Sequence, residues 1–334
     1  MTKKITAVYY EKTGLVAEVL AFGECDLPEL APGEVMVEMH AVGINPADVK
    51  RIAGKAPAPD GRRLVPGDDG AGVIVAVGQG VSEKRLGQRV WIYMGRLDRD
   101  FGTAASHAIV PAERAVPLPD GVSFESGACL GVPAITAHYA LFSDGDIAGQ
   151  TVLIHGGAGG VGSTAVQLAK WGGATVIATV SGPEKAAVAK VCGADHVVNY
   201  RSENVIDRVT ALTAGAGVDR VVDVAFGVNL PTNLEVLKPN GVIATYSSDA
   251  DQTPVLPIWQ MLRKNVTVHF MIIYTLPQTV LRRSIRDITA ALATRDLTPV
   301  VSRSLPLREF GQADQIVGRL SGIGNVVLLP DIAV

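Results

Sequence analysis

The feature that most constrains this chain is Gly157-Ala158-Gly159-Gly160-Val161-Gly162, a G-x-G-x-x-G run. It directly follows the apolar, strand-like Thr151-Val152-Leu153-Ile154 and directly precedes the helical pattern of residues 163–170. In such a turn the first glycine permits a tight reversal, and the second lets a ligand reach the backbone. The third lets the helix pack closely on the strand. The helix start then offers unpaired N–H groups and its positive dipole end, which together suit a pyrophosphate. With 36 glycines in the chain, the motif carries weight only because a strand and a helix flank it. The expectation is a dinucleotide-binding loop.

The residues around that loop repeat the same grammar. Strand-like 175–180 is followed by a helical stretch over 184–191, then short apolar runs at 197–198, 220–224 and 242–246. Strands alternating with helices imply a parallel sheet with right-handed crossovers, a doubly wound α/β domain, placed here at 124–275. The first third reads differently. Residues 34–42 alternate polar and apolar, 72–78 are apolar, and 89–93 and 107–110 follow between Pro and Gly, which suggests an all-β barrel or sandwich. After the apolar segment 266–274, a helix is expected over 278–294 and β-like runs at 300–303 and 326–329. This tail is assigned back to the first domain, giving 1–123 with 276–334.

Composition narrows the function classes. Lys and Arg total 30 against 33 Asp and Glu, a net charge of −3 without a basic run, so neither nucleic acid nor an anionic membrane is an expected partner. A hydrophobic fraction of 48% is enough to bury a sizeable core. The start lacks the apolar stretch of a signal peptide, and no apolar run is long enough to cross a bilayer. Cys25, Cys129 and Cys192 are far apart and odd in number, so a reduced, cytoplasmic protein without a disulfide framework is expected.

The second strand should select the cofactor. It ends Ala178-Thr179-Val180-Ser181-Gly182, without the carboxylate that would bond a ribose 2′-hydroxyl. Ser181 offers a hydroxyl and Lys185 a point charge for a 2′-phosphate, so NADPH is expected rather than NADH. No metal site is expected. The three cysteines are dispersed, and the histidines at 40, 107, 138, 155, 196 and 269 show no H-x-x-x-H pairing. For Asp68-Asp69, the one acidic pair of interest, a turn-capping role is expected.

With these readings in place, the chain resembles the medium-chain dehydrogenases/reductases, and more narrowly their zinc-independent quinone oxidoreductase (zeta-crystallin-like) branch. The resemblance rests on Val42-Gly43-Ile44-Asn45-Pro46-Ala47-Asp48, Pro66-Gly67-Asp68-Asp69-Gly70-Ala71-Gly72-Val73-Ile74, Gly87-Gln88-Arg89-Val90 and Gly131-Val132-Pro133-Ala134-Ile135-Thr136-Ala137-His138. It continues through 155–162 and the closing Gly322-Ile323-Gly324-Asn325-Val326-Val327-Leu328. It implies an α/β fold with a GroES-like β-barrel catalytic domain and a Rossmann doubly wound parallel-sheet domain. Where zinc-containing relatives carry ligands, this chain has Asn45, Asp68 and, near the third, Val132.

Carried over by motif, Asn45 is implied to sit by the nicotinamide and the substrate carbonyl, and Thr136 at the nicotinamide end. Ser181, Lys185 and Tyr200 are implied around the 2′-phosphate, and Ser247 and Phe270 near the carboxamide. The family's C-terminal Arg has only the off-register Arg319. Where the branch often carries tyrosines near the substrate, this chain reads Lys50-Arg51-Ile52-Ala53-Gly54-Lys55-Ala56, which leaves room for smaller or anionic enones.

The implied activity is zinc-independent hydride transfer from NADPH to a quinone or similar electron-poor carbonyl. The alternatives are an enone or enoyl reductase on the same scaffold and a non-catalytic NADPH-binding protein. Asn45 is the candidate catalytic donor; His138, Tyr139 and Tyr93 are candidate proton donors beside water. The apolar 266–274 segment is expected to be an edge strand paired across a homodimer.

Overall fold

The computed structural model describes residues 4–55, 59–318 and 322–331. Its strands, in chain order, are β1 (Lys4–Tyr9), β2 (Ala21–Asp26), β3 (Glu34–Ile44), β4 (Asp69–Val77), β5 (Arg89–Ile92), β6 (His107–Pro111) and β7 (Ala115–Pro117). There follow β8 (Thr151–Ile154), β9 (Thr175–Val180), β10 (His196–Asn199), β11 (Val218–Asp223), β12 (Leu237–Thr245), β13 (Thr267–Phe270), β14 (Val301–Pro306) and β15 (Asn325–Leu329). The chain divides into two compact units, Met1–Val132 with Pro299–Val334, and Pro133–Thr298.

In the first unit β1 and β2 form a hairpin-like pair, and a second sheet runs β14-β15-β3-β4-β5-β7, with β6 also paired to β3. β3 is the spine because its alternation sends Val35, Val37, Met39 and Ala41 inward at 0% exposure. The core adds Ile74, Val90, Ile92, Val110, Phe310 and Leu328. Two pairings position chemistry. β3 meets β4 antiparallel with Gly43 opposite Asp69, and β4 meets β5 with Gly70 opposite Ile92. The segments that follow β3, precede β4 and follow β5 therefore converge. Side chains are excluded where the backbones touch: a Cβ on Gly43 would lie 2.0 Å from the Ala128 carbonyl oxygen.

The second unit is a six-stranded parallel sheet ordered β10-β9-β8-β11-β12-β13. The order reverses between β8 and β11, the switch point where doubly wound sheets bind ligands at the carboxyl ends of their strands. β8 and β9 bury Val152, Leu153, Ile154, Val176, Ile177 and Ala178 almost completely, as a sheet covered on both faces requires. The loops after β8, β9, β10, β12 and β13 thus gather along one sheet edge.

Two expectations change. The helix Gln278–Ala293 belongs to the second unit, so the junctions fall after Val132 and Thr298 instead of at 123/124 and 275/276. The cause is its buried face. Leu281, Ile288, Ala291 and Leu292 are buried, Ser284 Oγ lies 2.9 Å from His138 Nδ1, and the Thr298 N–H donates to Gln167 Oε1 at 2.8 Å. The 266–274 segment holds only a four-residue strand, β13, then a turn of 3-10 helix at Ile273–Thr275. Its neighbour β12 ends at Thr245, opposite Phe270, so no partner backbone continues. Among the described residues, no helix is long and apolar enough to cross a membrane.

Candidate functional site

The glycine-rich turn is shaped by what side chains it lacks. Its tight reversal falls on Gly156, one residue before the motif, at φ +68°. Gly157 lies against β9, where a Cβ would come within 2.7 Å of the Ala178 Cβ. Gly162 lies over the turn itself, where a Cβ would be 2.1 Å from the Gly156 carbonyl oxygen. Gly159 is different: a Cβ there would meet only the Gly156 carbonyl oxygen, at an ordinary 3.5 Å, so the fold itself leaves room for a side chain. It is also the N-cap of the helix Gly160–Trp171 and gives that helix no side-chain cap. The first N–H groups of the helix, next to Ala158 and including Val161, thus receive no side-chain cap.

Beneath the turn lies a buried polar chain that the sequence reading missed. Gly156 N–H donates to Thr179 Oγ1 at 3.3 Å, and Thr179 Oγ1 lies 3.1 Å from His155 Nδ1. His155 Nε2 lies 2.8 Å from Asn233 Oδ1, and Asn233 Nδ2 donates to Asp223 Oδ2 at 2.6 Å. Because the amide of Asn233 spends its donor on Asp223, its oxygen must accept, which assigns the ring proton to Nε2. Thr179 then donates to Nδ1 while accepting from Gly156. Asp223 Oδ1 further accepts from the Ala225 N–H and from Asn229. His155, Thr179, Asn233 and Asp223 are all buried, so the network ties the turn to β9, β11 and the helix Phe226–Val236.

Of the residues expected around a 2′-phosphate, Tyr200 is brought beside Ser181 by strand pairing, and Lys185 follows in the next helix. β10 runs beside β9 with Asn199 opposite Val180, and the Tyr200 N–H donates to the Val180 carbonyl at 3.1 Å. Tyr200, 51% exposed, therefore stands next to Ser181. Lys185 is in the first turn of the helix Pro183–Val191, whose N-cap, Gly182, supplies no capping side chain. Further along the same sheet edge, Ser247 Oγ donates to Asp249 at 3.1 Å, and Phe270, 69% exposed, meets Phe226 edge-on at 5.1 Å. Thr136 is buried on the helix Val132–Phe142. His138 is not a free proton donor: its Nε2 lies 3.0 Å from Asp287 and its ring is buried against Phe142. Burial pushes its pKa down, against the pull of Asp287. Arg319 and Ala56 lie outside the described residues.

In the first unit, the ends of β3 and β4 place Asn45 against Asp69. The Asn45 amide donates to Asp69 Oδ2 at 2.8 Å, and both Asp69 oxygens are 2.9 Å from the Val132 N–H. Asn45 is 4% exposed and Asp69 0%. Next to them, Asp48 accepts from the Asn45 N–H at 2.9 Å and the Gly67 N–H at 3.2 Å. Arg51 bonds Asp68 at 2.5 Å and reaches Asp48 at 3.8 Å. Burial pushes Asp69 well above the usual carboxylate range, against the bonds from Asn45 and Val132. Burial and the neighbouring Asp68 raise Asp48 to about 7, against the opposing Arg51. Asp68 and Asp69 therefore do not cap a local turn; Asp69 reaches partners 24 and 63 residues away. One hydrogen of the Asn45 amide is held by Asp69, which fixes the amide plane.

These positions do not suit a zinc ion. Asn45 and Asp69 are turned to each other and to Val132, and the Arg51 guanidinium already neutralises Asp68. Among the described residues, no three His, Cys, Asp or Glu side chains are placed to hold a metal. The cysteines are buried, and desolvation raises the pKa of each thiol, Cys192 to about 11.

Two family descriptions match the chain: "Alcohol dehydrogenase GroES-like domain" over residues 31–120 and "Zinc-binding dehydrogenase" over 160–290. A quinone oxidoreductase of Pseudomonas aeruginosa is 31% identical, covering 94% of this chain and 96% of that protein. A 2-haloacrylate reductase of a Burkholderia species is 29% identical, covering 98% of this chain and 99% of that protein. The crystal structure of Escherichia coli quinone oxidoreductase complexed with NADPH superposes with a TM-score of 0.85 at 28% identity, covering 97% of this chain and all of the other.

Proposed function

The chain belongs to the medium-chain dehydrogenase/reductase superfamily, in its quinone oxidoreductase branch, and from that premise we propose that it is an NADPH-dependent, zinc-independent reductase of quinones or similar electron-poor carbonyl compounds. The observation that carries the reading is the pairing of an uncapped, glycine-rich helix start with a β9 end that carries Ser181, with Lys185 and Tyr200 nearby, in place of a carboxylate. The E. coli relative's complex with NADPH supports the same cofactor here.

In this reading the N–H groups of Gly160, Val161 and Gly162 hold the pyrophosphate, while Ser181, Lys185 and Tyr200 hold the 2′-phosphate. Thr136, Ser247 and Phe270 serve the nicotinamide end. When bound, NADPH supplies a hydride. The chain's own work is to orient and to stabilise charge. Asn45, its amide plane locked by Asp69, donates its remaining hydrogen to the oxygen on which negative charge develops. Its buried setting strengthens that bond. The donor set does the polarising that zinc would do elsewhere, and solvent supplies the proton, since His138 is committed to Asp287.

A second reading, reduction of a conjugated alkene, draws support from the 2-haloacrylate reductase that matches nearly the whole chain. We further propose that the β13 edge is covered by a second copy. Trp259, Leu262, Phe270 and Ile272 lie exposed on and beside it at 56–75%. A monomeric mass by light scattering would remove that proposal.

The test of function is a fluorescence titration with NADPH and NADH, followed by NADPH oxidation with a quinone and an enone, with and without a chelator. Tighter NADPH binding and chelator-insensitive turnover are expected. A preference for NADH, or loss of activity with chelator, refutes the reading.

A further inference from the structure

The glycine-rich turn and the end of β9, the two halves of the NADPH placement, are joined by one buried side chain. Thr179, the penultimate residue of β9, is 1% exposed. Its hydroxyl oxygen accepts the Gly156 N–H at 3.3 Å, and its carbonyl accepts the Gly157 N–H at 3.0 Å. Gly156 is fastened at its other end as well. Its carbonyl accepts the Gly159 N–H at 2.9 Å, and Gly162 packs so closely on it that a Cβ there would lie 2.1 Å from the carbonyl oxygen. The start of the helix Gly160–Trp171 is therefore placed by Gly156, and Gly156 is placed by Thr179. Further along β9, the Val180 carbonyl accepts the Tyr200 N–H at 3.1 Å, and Ser181 follows. Consecutive residues 179–181 thus fix both halves.

The Thr179 hydroxyl has a single hydrogen, and the chain beneath it decides where that hydrogen points. Every donor in the run is directed toward the buried Asp223 carboxylate: Gly156 to Thr179, Thr179 to His155 Nδ1 at 3.1 Å, His155 Nε2 to Asn233 at 2.8 Å, and Asn233 to Asp223 at 2.6 Å. In a one-way run each bond polarises the next. With its hydrogen spent on His155, Thr179 keeps a lone pair for Gly156. The backbone holds the run in place too, since the His155 N–H donates to the Val222 carbonyl at 3.0 Å.

We propose that Thr179 is a positioning residue for cofactor selection: it sets the register between the turn that holds the pyrophosphate and the Ser181, Lys185 and Tyr200 group that holds the 2′-phosphate, and so decides how far NADPH is preferred to NADH. The proposal rests on the NADPH placement and adds what couples its two halves. A ligand held at two points gains from the second only when both are in register; otherwise it keeps one contact or the other. NADH lacks the 2′-phosphate and draws on the turn. Adenosine 2′-monophosphate lacks the pyrophosphate and draws on the β9 end. Only NADPH needs both at once.

The experiment measures dissociation constants of NADPH, NADH and adenosine 2′-monophosphate by calorimetry. It uses the full chain as wild type, Thr179→Val, Thr179→Ser and His155→Phe, with melting temperatures alongside. Thr179→Val keeps the branched shape and removes the hydroxyl. It should weaken NADPH binding by at least about tenfold. NADH and adenosine 2′-monophosphate should bind nearly as before, because the backbone carbonyl at 179 still holds Gly157. Thr179→Ser restores the oxygen and should restore the NADPH-to-NADH ratio. His155→Phe leaves Thr179 in place but removes the acceptor of its hydrogen, and should lower the same ratio by less. If Thr179→Val does not fold, His155→Phe carries the comparison.

Equal losses of NADPH and NADH affinity in Thr179→Val would mean that Thr179 only props the turn, and would overturn the proposal. So would a ratio unchanged in Thr179→Val, or one that Thr179→Ser does not restore. A ratio unchanged in His155→Phe refutes the part of the run beyond Thr179. A wild type that binds NADPH no more tightly than NADH, or does not bind adenosine 2′-monophosphate, refutes the NADPH placement itself, and the register falls with it.

Discussion

Two glycines in the same turn should fail in different ways when each is given a methyl group. At Gly162 a new Cβ would lie 2.1 Å from the Gly156 carbonyl oxygen, 2.8 Å from its carbon and 3.1 Å from the Gly157 Cα. All three are backbone atoms, and the turn is pinned by bonds from Gly156 and Gly157 to Thr179. Restoring an ordinary contact requires the turn and helix to separate by about 1 Å, an overpacking that costs roughly 1–3 kcal/mol. For a unit of this size that lowers Tm by roughly 2–12 °C.

Gly159→Ala meets nothing closer than 3.5 Å, and its φ of −77° suits alanine. Its stability should stay within about 0.5 kcal/mol of wild type. Its methyl group, however, projects into the side left open for the pyrophosphate, so NADPH binding should weaken at least tenfold, about 1.4 kcal/mol. Differential scanning calorimetry and fluorescence titration separate the two effects. Gly162→Ala should lose both stability and binding, Gly159→Ala binding alone. A Gly159→Ala protein that binds NADPH as tightly as wild type would refute the placement of the pyrophosphate. An unshifted Tm for Gly162→Ala would refute the packing argument.

Other perturbations probe the first unit and the thiols. Asp69→Asn replaces an acceptor of two N–H donors with an amide that must turn its own NH₂ toward one of them. Urea denaturation should show a loss of about 1–3 kcal/mol, and turnover should fall because Asn45 loses its fixed plane. Asp48, raised from 3.8 to about 7 in the folded state, binds its proton more tightly folded than unfolded. Its favourable contribution is therefore complete below pH 4, declines between about pH 4 and 7, and is flat above. Denaturation of wild type and Asp48→Asn across pH 4–8 should show their difference changing within that window and constant beyond it; a difference independent of pH refutes the assignment. All three cysteines are buried with raised thiol pKa values. A thiol reagent at pH 8 should label the native protein slowly and three groups once urea unfolds it.

The candidate site was legible where it depends on neighbours in sequence. The glycine turn, Ser181 and Lys185 lie within one strand–turn–helix succession or just after the next strand, so order along the chain fixes their surroundings. Even there, the positive φ fell on Gly156 and not on the first motif glycine, because a one-residue shift of a turn leaves no mark in composition. His138 was read as a candidate donor, but its ring is tied to Asp287, 149 residues away. The helix carrying Asp287 was assigned to the other domain for the same reason: its amphipathic pattern shows that one face is buried, not against what.

The sequence by itself determined the α/β alternation, the glycine turn between β8 and its helix and the missing carboxylate at the end of β9, since each follows from residue type and local order. Only the tertiary structure decided that Asp69 locks Asn45, that His155 and Asp223 brace the turn and that Arg51 is spent on Asp68. These relations are made by β3, β4 and β5 lying side by side and by β8, β9 and β11 ending together. Hydrogen-bonded pairing across tens of residues, not any local propensity, chooses which buried charges meet.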